Sequence, residues 1–322
     1  YDSLLSLQDS NPIPALAYDI ELDEYPPVAV VLCSYKEPLE IVEQGLLCMH
    51  NLNYPNIQLY LLDDSPYEKP WGEPHVVASY RKEIDRMCAE IGINLFRHIW
   101  RGAKAGILND FLVCHEGNPR EGSSLSYFQP LMTHQQAKYL IVLDVDQNPM
   151  PNFLENIVPF MEKNPQQAFL QTPQFYTNIK NPIGNATGMQ HIVFFESIGK
   201  GKGINNVMFS VGTNLIYRMQ ALKEINGFDE SCVTEDIATS LNMQLLGWDT
   251  AYLHKVLCFG EGPNDLKAFF SQQSRWANGT IDIALRVLNL IWKKKHLMPL
   301  MRWWEYFMSG TIYVYNAVFF VL

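Results

Sequence analysis

Hydrophobic and polar positions change period repeatedly along the chain. Val28 to Tyr35 (VAVVLCSY) is a continuous, β-branched apolar run, and Leu39 to Met49 then spaces its apolar residues as a helix does. Ile57 to Leu62 (IQLYLL) is a second run, followed by a second helical pattern from Tyr80 to Ile91. Ile93 to Ile99, Tyr139 to Leu143 and Ala168 to Gln171 predict further strands. Glu116 to Gln129, polar and carrying Gly117, Pro119 and Gly122, predicts a loop. Strands apolar on both faces and separated by helices predict an α/β domain whose mostly parallel sheet is covered on either side. Residues 1–25 read as a polar, irregular segment, and nothing of linker composition interrupts residues 26–262, which read as one domain. Beyond it, residues 264–295 predict a long amphipathic helix, with apolar positions at Leu266, Phe269, Phe270, Ala277, Ile281, Ala284, Leu288 and Ile291.

The far end changes character again. Tyr306 to Leu322 carries no charge, Trp303 and Trp304 precede it, and Lys293, Lys294, Lys295 and Arg302 lie upstream. At about 1.5 Å per residue the uncharged run spans about 26 Å, against about 30 Å for a bilayer core. A buried helix would share this composition. The basic flank favours the start of a transmembrane helix over residues 303–322, with residues 263–302 lying along the cytoplasmic membrane surface.

Composition narrows the function classes. With 48% hydrophobic residues in 322, the chain can bury a full core, which excludes disorder. Its 24 Lys and Arg against 34 Asp and Glu leave a net charge of −10, so a phosphate backbone is a poor partner and no nucleic acid is expected. Six cysteines, none in a C-x-x-C pair, sit mostly in apolar runs; they point to a reducing compartment and away from zinc.

The candidate chemistry lies at strand ends, where open α/β sheets bind ligands. Three ends carry polar clusters: Ser34-Tyr35-Lys36-Glu37-Pro38, Asp63-Asp64-Ser65-Pro66 and Asp144-Val145-Asp146. Each alone is an ordinary turn sequence; three at one edge are a site. Neither G-x-G-x-x-G nor a P-loop accompanies them, which removes the usual support for dinucleotide redox chemistry and P-loop phosphoryl transfer. A D-x-D suits a hard cation, since Mg²⁺ or Mn²⁺ bridges one or two carboxylates to a substrate diphosphate. Arg101-Gly102-Ala103-Lys104-Ala105-Gly106 supplies a point charge for phosphate at Lys104. Thr234-Glu235-Asp236 opens a helix pattern from Ile237 to Leu246; Thr234 reads as its N-cap, and Asp236 also stands where a base could take a proton from a hydroxyl. Gln272, Arg275 and Trp276 share one face of the long helix, a set suited to diphosphate pairing and sugar stacking.

In that order, Asp63-Asp64, Asp144-x-Asp146, Thr234-Glu235-Asp236 and Gln272-x-x-Arg275-Trp276 resemble the D, D-x-D, T-E-D and Q-x-x-R-W motifs of processive family-2 glycosyltransferases, above all bacterial cellulose synthase catalytic subunits and cellulose-synthase-like proteins. Gly102 to Asn109 is similar to that family's K-A-G-N-L-N segment, Gln171 to Phe175 to its T-P segment, and Phe209 to Asn214 to its F-x-x-G-[TS] segment. The resemblance implies a GT-A-type fold and an inverting, Mg²⁺- or Mn²⁺-dependent transfer from a UDP-sugar, glucose foremost, to a growing polysaccharide. It implies that Tyr35, Asp63 and Asp64 hold uridine, that Lys104 and Arg275 pair with the diphosphate, and that Asp144 contacts the nucleotide sugar and, with Asp146, the metal. Asp236 is implied as general base with Glu235 in support. Trp276, Gln272 and the Phe209–Gly212–Thr213 loop are implied at the acceptor. The implied setting is the plasma (inner) membrane, with the catalytic domain cytoplasmic and with the lipid bilayer and other subunits of a synthase complex as partners. Gln147 stands where the family often has His, Gln174-Phe175 where it has a His/Phe-rich run, and Ile107 where it has Asn. Those departures leave the sugar and the linkage open. Single-sugar transfer to a lipid, and an inactive nucleotide-sugar-binding module, are the competing readings.

Overall fold

The computed structural model describes residues 22–69, 71–129 and 136–321, so nearly all of the polar segment expected over residues 1–25 lies outside the described residues. The strands are β1 (Val28–Ser34), β2 (Ile57–Asp63), β3 (Asn94–Arg97), β4 (Ser124–Ser126), β5 (Tyr139–Asp144), β6 (Gln147–Pro149), β7 (Gln167–Gln171), β8 (Phe175–Tyr176), β9 (Leu215–Arg218), β10 (Asp249–Tyr252) and β11 (Cys258–Gly260). The helices are α1 (Leu39–His50), α2 (Pro74–Ile91), α3 (Lys104–His115), α4 (Phe153–Lys163), α5 (Pro182–Val193), α6 (Lys200–Ile204), α7 (Met219–Glu224), α8 (Glu235–Leu245), α9 (Leu266–Lys294) and α10 (Leu300–Val321), with a π turn, Phe194–Gly199, between α5 and α6.

The main sheet runs β10-β7-β9-β5-β1-β2-β3-β4. Its pairings are parallel except where β4 meets β3 and where β9 lies between β5 and β7. The apolar β1 has two inner faces: Val28, Val30 and Leu32 pack with Val42 and Leu46 of α1 and Ile157 of α4, while Ala29 and Val31 pack with Ile107 and Phe111 of α3 and Leu222 of α7. This is the sheet with helices on either side that the period of the chain predicts. Two parts were not predicted: β4 falls inside the expected loop, and β6, β8 and β11 form a separate small sheet of two- and three-residue strands.

The insertion of β9 shapes the site. Because it runs against its neighbours, its start lies where β5 and β7 end: Leu215 pairs with Val142 and with Gln171. The loop that enters β9, Phe209 to Asn214, is thereby delivered to the edge holding Asp144.

A third apolar cluster joins Ile237 and Leu241 of α8, Ile283 and Val287 of α9, and Trp303 and Tyr306 of α10. The inward face of α9 is Thr280, Ile283, Ala284 and Val287, whereas Leu266, Phe270 and Leu288 stand exposed. Of the apolar positions read from the sequence, Ala284 belongs to that inward face, against which α10 packs at Gly310. Trp303, expected at a membrane interface, is fully buried against α9, while Trp304 is exposed. The helix α10 covers the stretch read as the start of a membrane span. Among the described residues, no helix is long and apolar enough to cross a membrane.

Candidate active site

The centre of the site is Lys104 at the start of α3. Its Nζ donates to Asp144 Oδ1 (2.5 Å) and to the Gly212 carbonyl (2.6 Å). Gly212 has φ +81°, and a Cβ there would lie 3.3 Å from Asp236 Oδ2 and 3.8 Å from Lys104 Nζ, so this bare backbone lies between the ammonium and the second acid. Thr213 Oγ1 accepts from the Asp144 backbone N–H (2.8 Å). Gln171, fully buried at the end of β7, grips the same loop: its Oε1 accepts from Val211 N–H (2.9 Å) and its Nε2 donates to the Thr213 carbonyl (2.8 Å). Ser240 Oγ accepts from Ser210 N–H and donates to the Asp236 carbonyl, each at 2.8 Å, which fixes the first turn of α8 to the loop.

This arrangement gathers more acid than base. Burial, then the neighbouring Glu235, pushes Asp236 up to about 7. Burial also raises Glu235, opposed by Lys104. Asp146 is pushed up to about 7 by burial and then by Asp144 and Glu37. Burial alone would lower Lys104, but the attraction of Asp144 outweighs it and the ammonium is stabilised. Glu37, which the sequence reading did not assign, thus belongs to the electrostatics of the site. Its position in the cluster after β1 was the available signal.

After β2 the two consecutive aspartates separate, Asp63 closing the strand and Asp64 opening the turn beyond it. Asp63 Oδ2 accepts from Arg97 Nε (2.7 Å) and from the Tyr67 hydroxyl (2.6 Å), and its Oδ1 from Ser65 N–H (3.3 Å). It is 1% exposed, and these bonds hold the turn that follows β2. Asp64 instead meets His98 (Oδ1 to Nε2, 2.7 Å). Tyr35 is exposed, its ring 6.2 Å from that of Trp100.

On the other side of Asp236 a cavity of about 430 Å³ opens, walled by Trp276, Phe209, Thr234, Lys202 and Glu305 among others. The ring of Trp276 lies 5.7 Å from His191. Helix α9 reaches the T-E-D turn through Gly279, where a Cβ would come within 2.3 Å of Thr234 Cγ2. Thr234 makes no side-chain capping bond, so close packing and not capping accounts for it. Gln272 is half-buried and Arg275 exposed, near enough for its charge to oppose the rise of Glu235. Thr213, expected to line the acceptor side, is buried beneath Asp144, whereas Phe209 does line the cavity. Sequence reasoning missed Lys202 and Glu305, an ion pair at 2.8 Å with both side chains about 5% exposed or less. The lone carboxylate between Trp303, Trp304 and Tyr306 was the signal.

Comparison with known proteins fits this geometry. The family model described as "Glycosyl transferase family group 2" matches residues 139–322, more than half of the chain. The chain belongs to that glycosyltransferase family. It is 30% identical over 274 residues to the UDP-forming cellulose synthase 1 catalytic subunit of Komagataeibacter xylinus, a match covering 81% of this chain and 32% of the relative. Against a UDP-forming cellulose synthase catalytic subunit of Dictyostelium discoideum it is 38% identical over 153 residues, 47% of this chain and 14% of that one. The chain thus spans a third or less of these relatives. Among solved structures, the mannosyltransferase PcManGT from Pyrobaculum calidifontis in complex with GDP-Man and Mn²⁺ superposes with a TM-score of 0.57 at 13% identity, over 94% of this chain and 78% of that one. That likeness shows a GT-A-like fold.

The carboxylates of this glycosyltransferase fit a divalent cation completed by substrate. Among the described residues no group of three or more His, Cys, Asp or Glu side chains is arranged to hold an ion. Asp144 and Asp146 offer two hard oxygen donors, which is what Mg²⁺ or Mn²⁺ takes from protein when phosphates supply the rest. Gln147, in place of the family's His, is buried: its Oε1 accepts from Asn214 Nδ2 (3.0 Å), and only a glycine at 260 leaves it room.

Proposed function

We propose that this glycosyltransferase moves glucose from UDP-glucose, with inversion, onto the end of a growing β-linked glucan such as cellulose, adding units in succession. The observation that carries the reading is the arrangement about Gly212. Lys104 joins Asp144 to this loop on one side, and Asp236 lies against it on the other and opens into the cavity beside Trp276. A donor at one side and an acceptor at the other would meet at that loop.

In this reading Tyr35, Asp63 and Asp64 take the uridine, and Lys104 with Arg275 balances the diphosphate. Asp236 removes the proton from the acceptor hydroxyl, whose oxygen bonds to the anomeric carbon as the UDP oxygen leaves. One displacement inverts the centre and needs one base and no covalent nucleophile. Glu235 keeps the ammonium of Lys104 oriented. A divalent cation held by Asp144 and Asp146 would neutralise the charge growing on the leaving diphosphate. Trp276, Gln272 and Phe209 hold the acceptor, with stacking from the indole. Helices α9 and α10 lie at the cytoplasmic face of a plasma (inner) membrane, a placement supported by exposed Phe270, Leu288 and Trp292 next to Lys293 to Lys295. Further subunits complete the synthase.

The test is incubation of the chain in lipid with radiolabelled UDP-glucose, UDP-N-acetylglucosamine and GDP-mannose in turn, followed by digestion with linkage-specific glucanases. Long products from UDP-glucose, cut by a β-glucanase, are expected. Addition of a single sugar to each acceptor would overturn processivity, and incorporation from GDP-mannose alone would overturn the donor.

A further inference from the structure

His98 follows β3 directly and its side chain is 1% exposed. Nε2 lies 2.7 Å from Asp64 Oδ1, and Nδ1 lies 2.7 Å from Asp110 Oδ2 on α3. Ionised carboxylates only accept hydrogen bonds, and a neutral imidazole has a single N–H. Asp110 already accepts from two guanidinium groups through Oδ1, Arg101 Nη2 and Arg120 Nη1, each at 2.8 Å, so Nδ1 must donate to it. Nε2 would then turn a lone pair on Asp64 unless the ring carries a second proton.

We infer that His98 is a positioning residue for the donor: as an imidazolium held between Asp64 and Asp110, it fixes the Asp64 carboxylate for a nucleobase and releases it when the ring loses a proton. This rests on the proposed role of Asp64 in uridine binding. The surroundings support it. Burial opposes the charge on the ring, but the hydrogen bonds to Asp64 and Asp110 outweigh it and raise His98 above its usual range. The groups facing the ring are Asp64 from the turn after β2, Asp110 from α3, Arg101 from the loop before α3 and Arg120 from the loop after it. Asp63, beside Asp64, is paired with Arg97. Arg101 also bonds Glu230 (2.8 Å), which ties the clamp to the segment leading into Glu235 and Asp236. The sign follows from a raised value. The clamp is complete below the ordinary imidazole range, and donor affinity falls as pH rises through the ring's raised pKa.

The ring is read directly by ¹⁵N spectroscopy of histidine-labelled chain, with His98 assigned by its loss in His98→Gln. The resonance is assigned independently by its shift in Asp110→Asn, so the assignment does not depend on the Gln variant folding. Both ring nitrogens are expected to be protonated at about pH 6, below the ordinary imidazole value; a bare nitrogen there would overturn the clamp. UDP binding is then measured by calorimetry between about pH 6.5 and about pH 8.5. Asp110→Asn removes one carboxylate and lowers the ring's pKa, so it should weaken UDP by about tenfold relative to the parent between the two ring pKa values, with little difference below both. A ratio constant with pH would mean that the contact is merely structural and would sink the proposal. If the parent bound no UDP at any pH, the nucleotide reading of Asp64 would fall, while the ring spectrum would still decide whether the clamp exists.

Discussion

Asp236 illustrates how much of the chemistry rests on single atoms. Burial and Glu235 push it up to about 7, and a base must be deprotonated to act. Turnover should therefore rise as pH climbs through about 7 and level off above it. Asp236→Asn should cut polymer formation by about 10²–10⁴-fold while UDP binding, followed by calorimetry, stays within about twofold; near-normal synthesis would remove Asp236 from the mechanism. Gln171→Leu should act by another route. It leaves the Val211 N–H and the Thr213 carbonyl without their buried partner, and should cost about 1–3 kcal/mol in chemical unfolding together with a fall in kcat. The residue types at Asp144, Lys104 and Asp236 were readable because turns, helix starts and acids leave local traces. The different fates of Asp63 and Asp64 were not. Which one meets Arg97 and which meets His98 depends on what packs beside the turn after β2.

Among the elements, glycines set the distances that matter. A Cβ at Gly45 of α1 would lie 2.6 Å from the Val145 carbonyl, between Asp144 and Asp146. Because backbone and not a flexible side chain is in the way, Gly45→Ala should shift the D-x-D turn and lower kcat, with about 1–3 kcal/mol of stability lost in thermal unfolding. An unchanged kcat would show that the turn tolerates the displacement. Gly310 is the equivalent on α10: a Cβ there would come within 2.5 Å of the Thr280 carbonyl and 2.6 Å of Ala284 Cβ, which is how closely α9 and α10 approach. The runs that became β1, β2, β5 and β7 were legible because buried parallel strands are apolar throughout. β9 was not, since its four residues carry no period, and without it nothing in the sequence explains why the Gly212 loop reaches Asp144. The amphipathic helix was legible as a helix, but its buried face was misjudged, because a periodic stripe cannot say how many neighbours will cover it.

Across the whole molecule, the pair Lys202 and Glu305 joins α6 to α10, with both charges buried beside the cavity. Glu305→Gln should destabilise the fold in thermal unfolding because it removes a buried carboxylate that accepts from Lys202, and a double change to apolar residues should recover most of the loss. Trp292 is 86% exposed and Phe270 64% exposed on the outer side of α9. If that side meets lipid, Trp292→Glu combined with Leu288→Glu should reduce cosedimentation with anionic vesicles by about tenfold while thermal stability holds; undiminished binding would place the contact elsewhere. By itself the sequence determined the alternation of strands and helices, the acids at their ends and the order of the motifs, since each follows from local propensity and short-range spacing. Only the tertiary structure decided which acids share a cleft, that Lys104 lies between Asp144 and Gly212, that His98 joins Asp64 to Asp110, and that Glu305 reaches Lys202. These are contacts between residues 12 to 108 positions apart, set by sheet order and helix packing, and no local pattern encodes them.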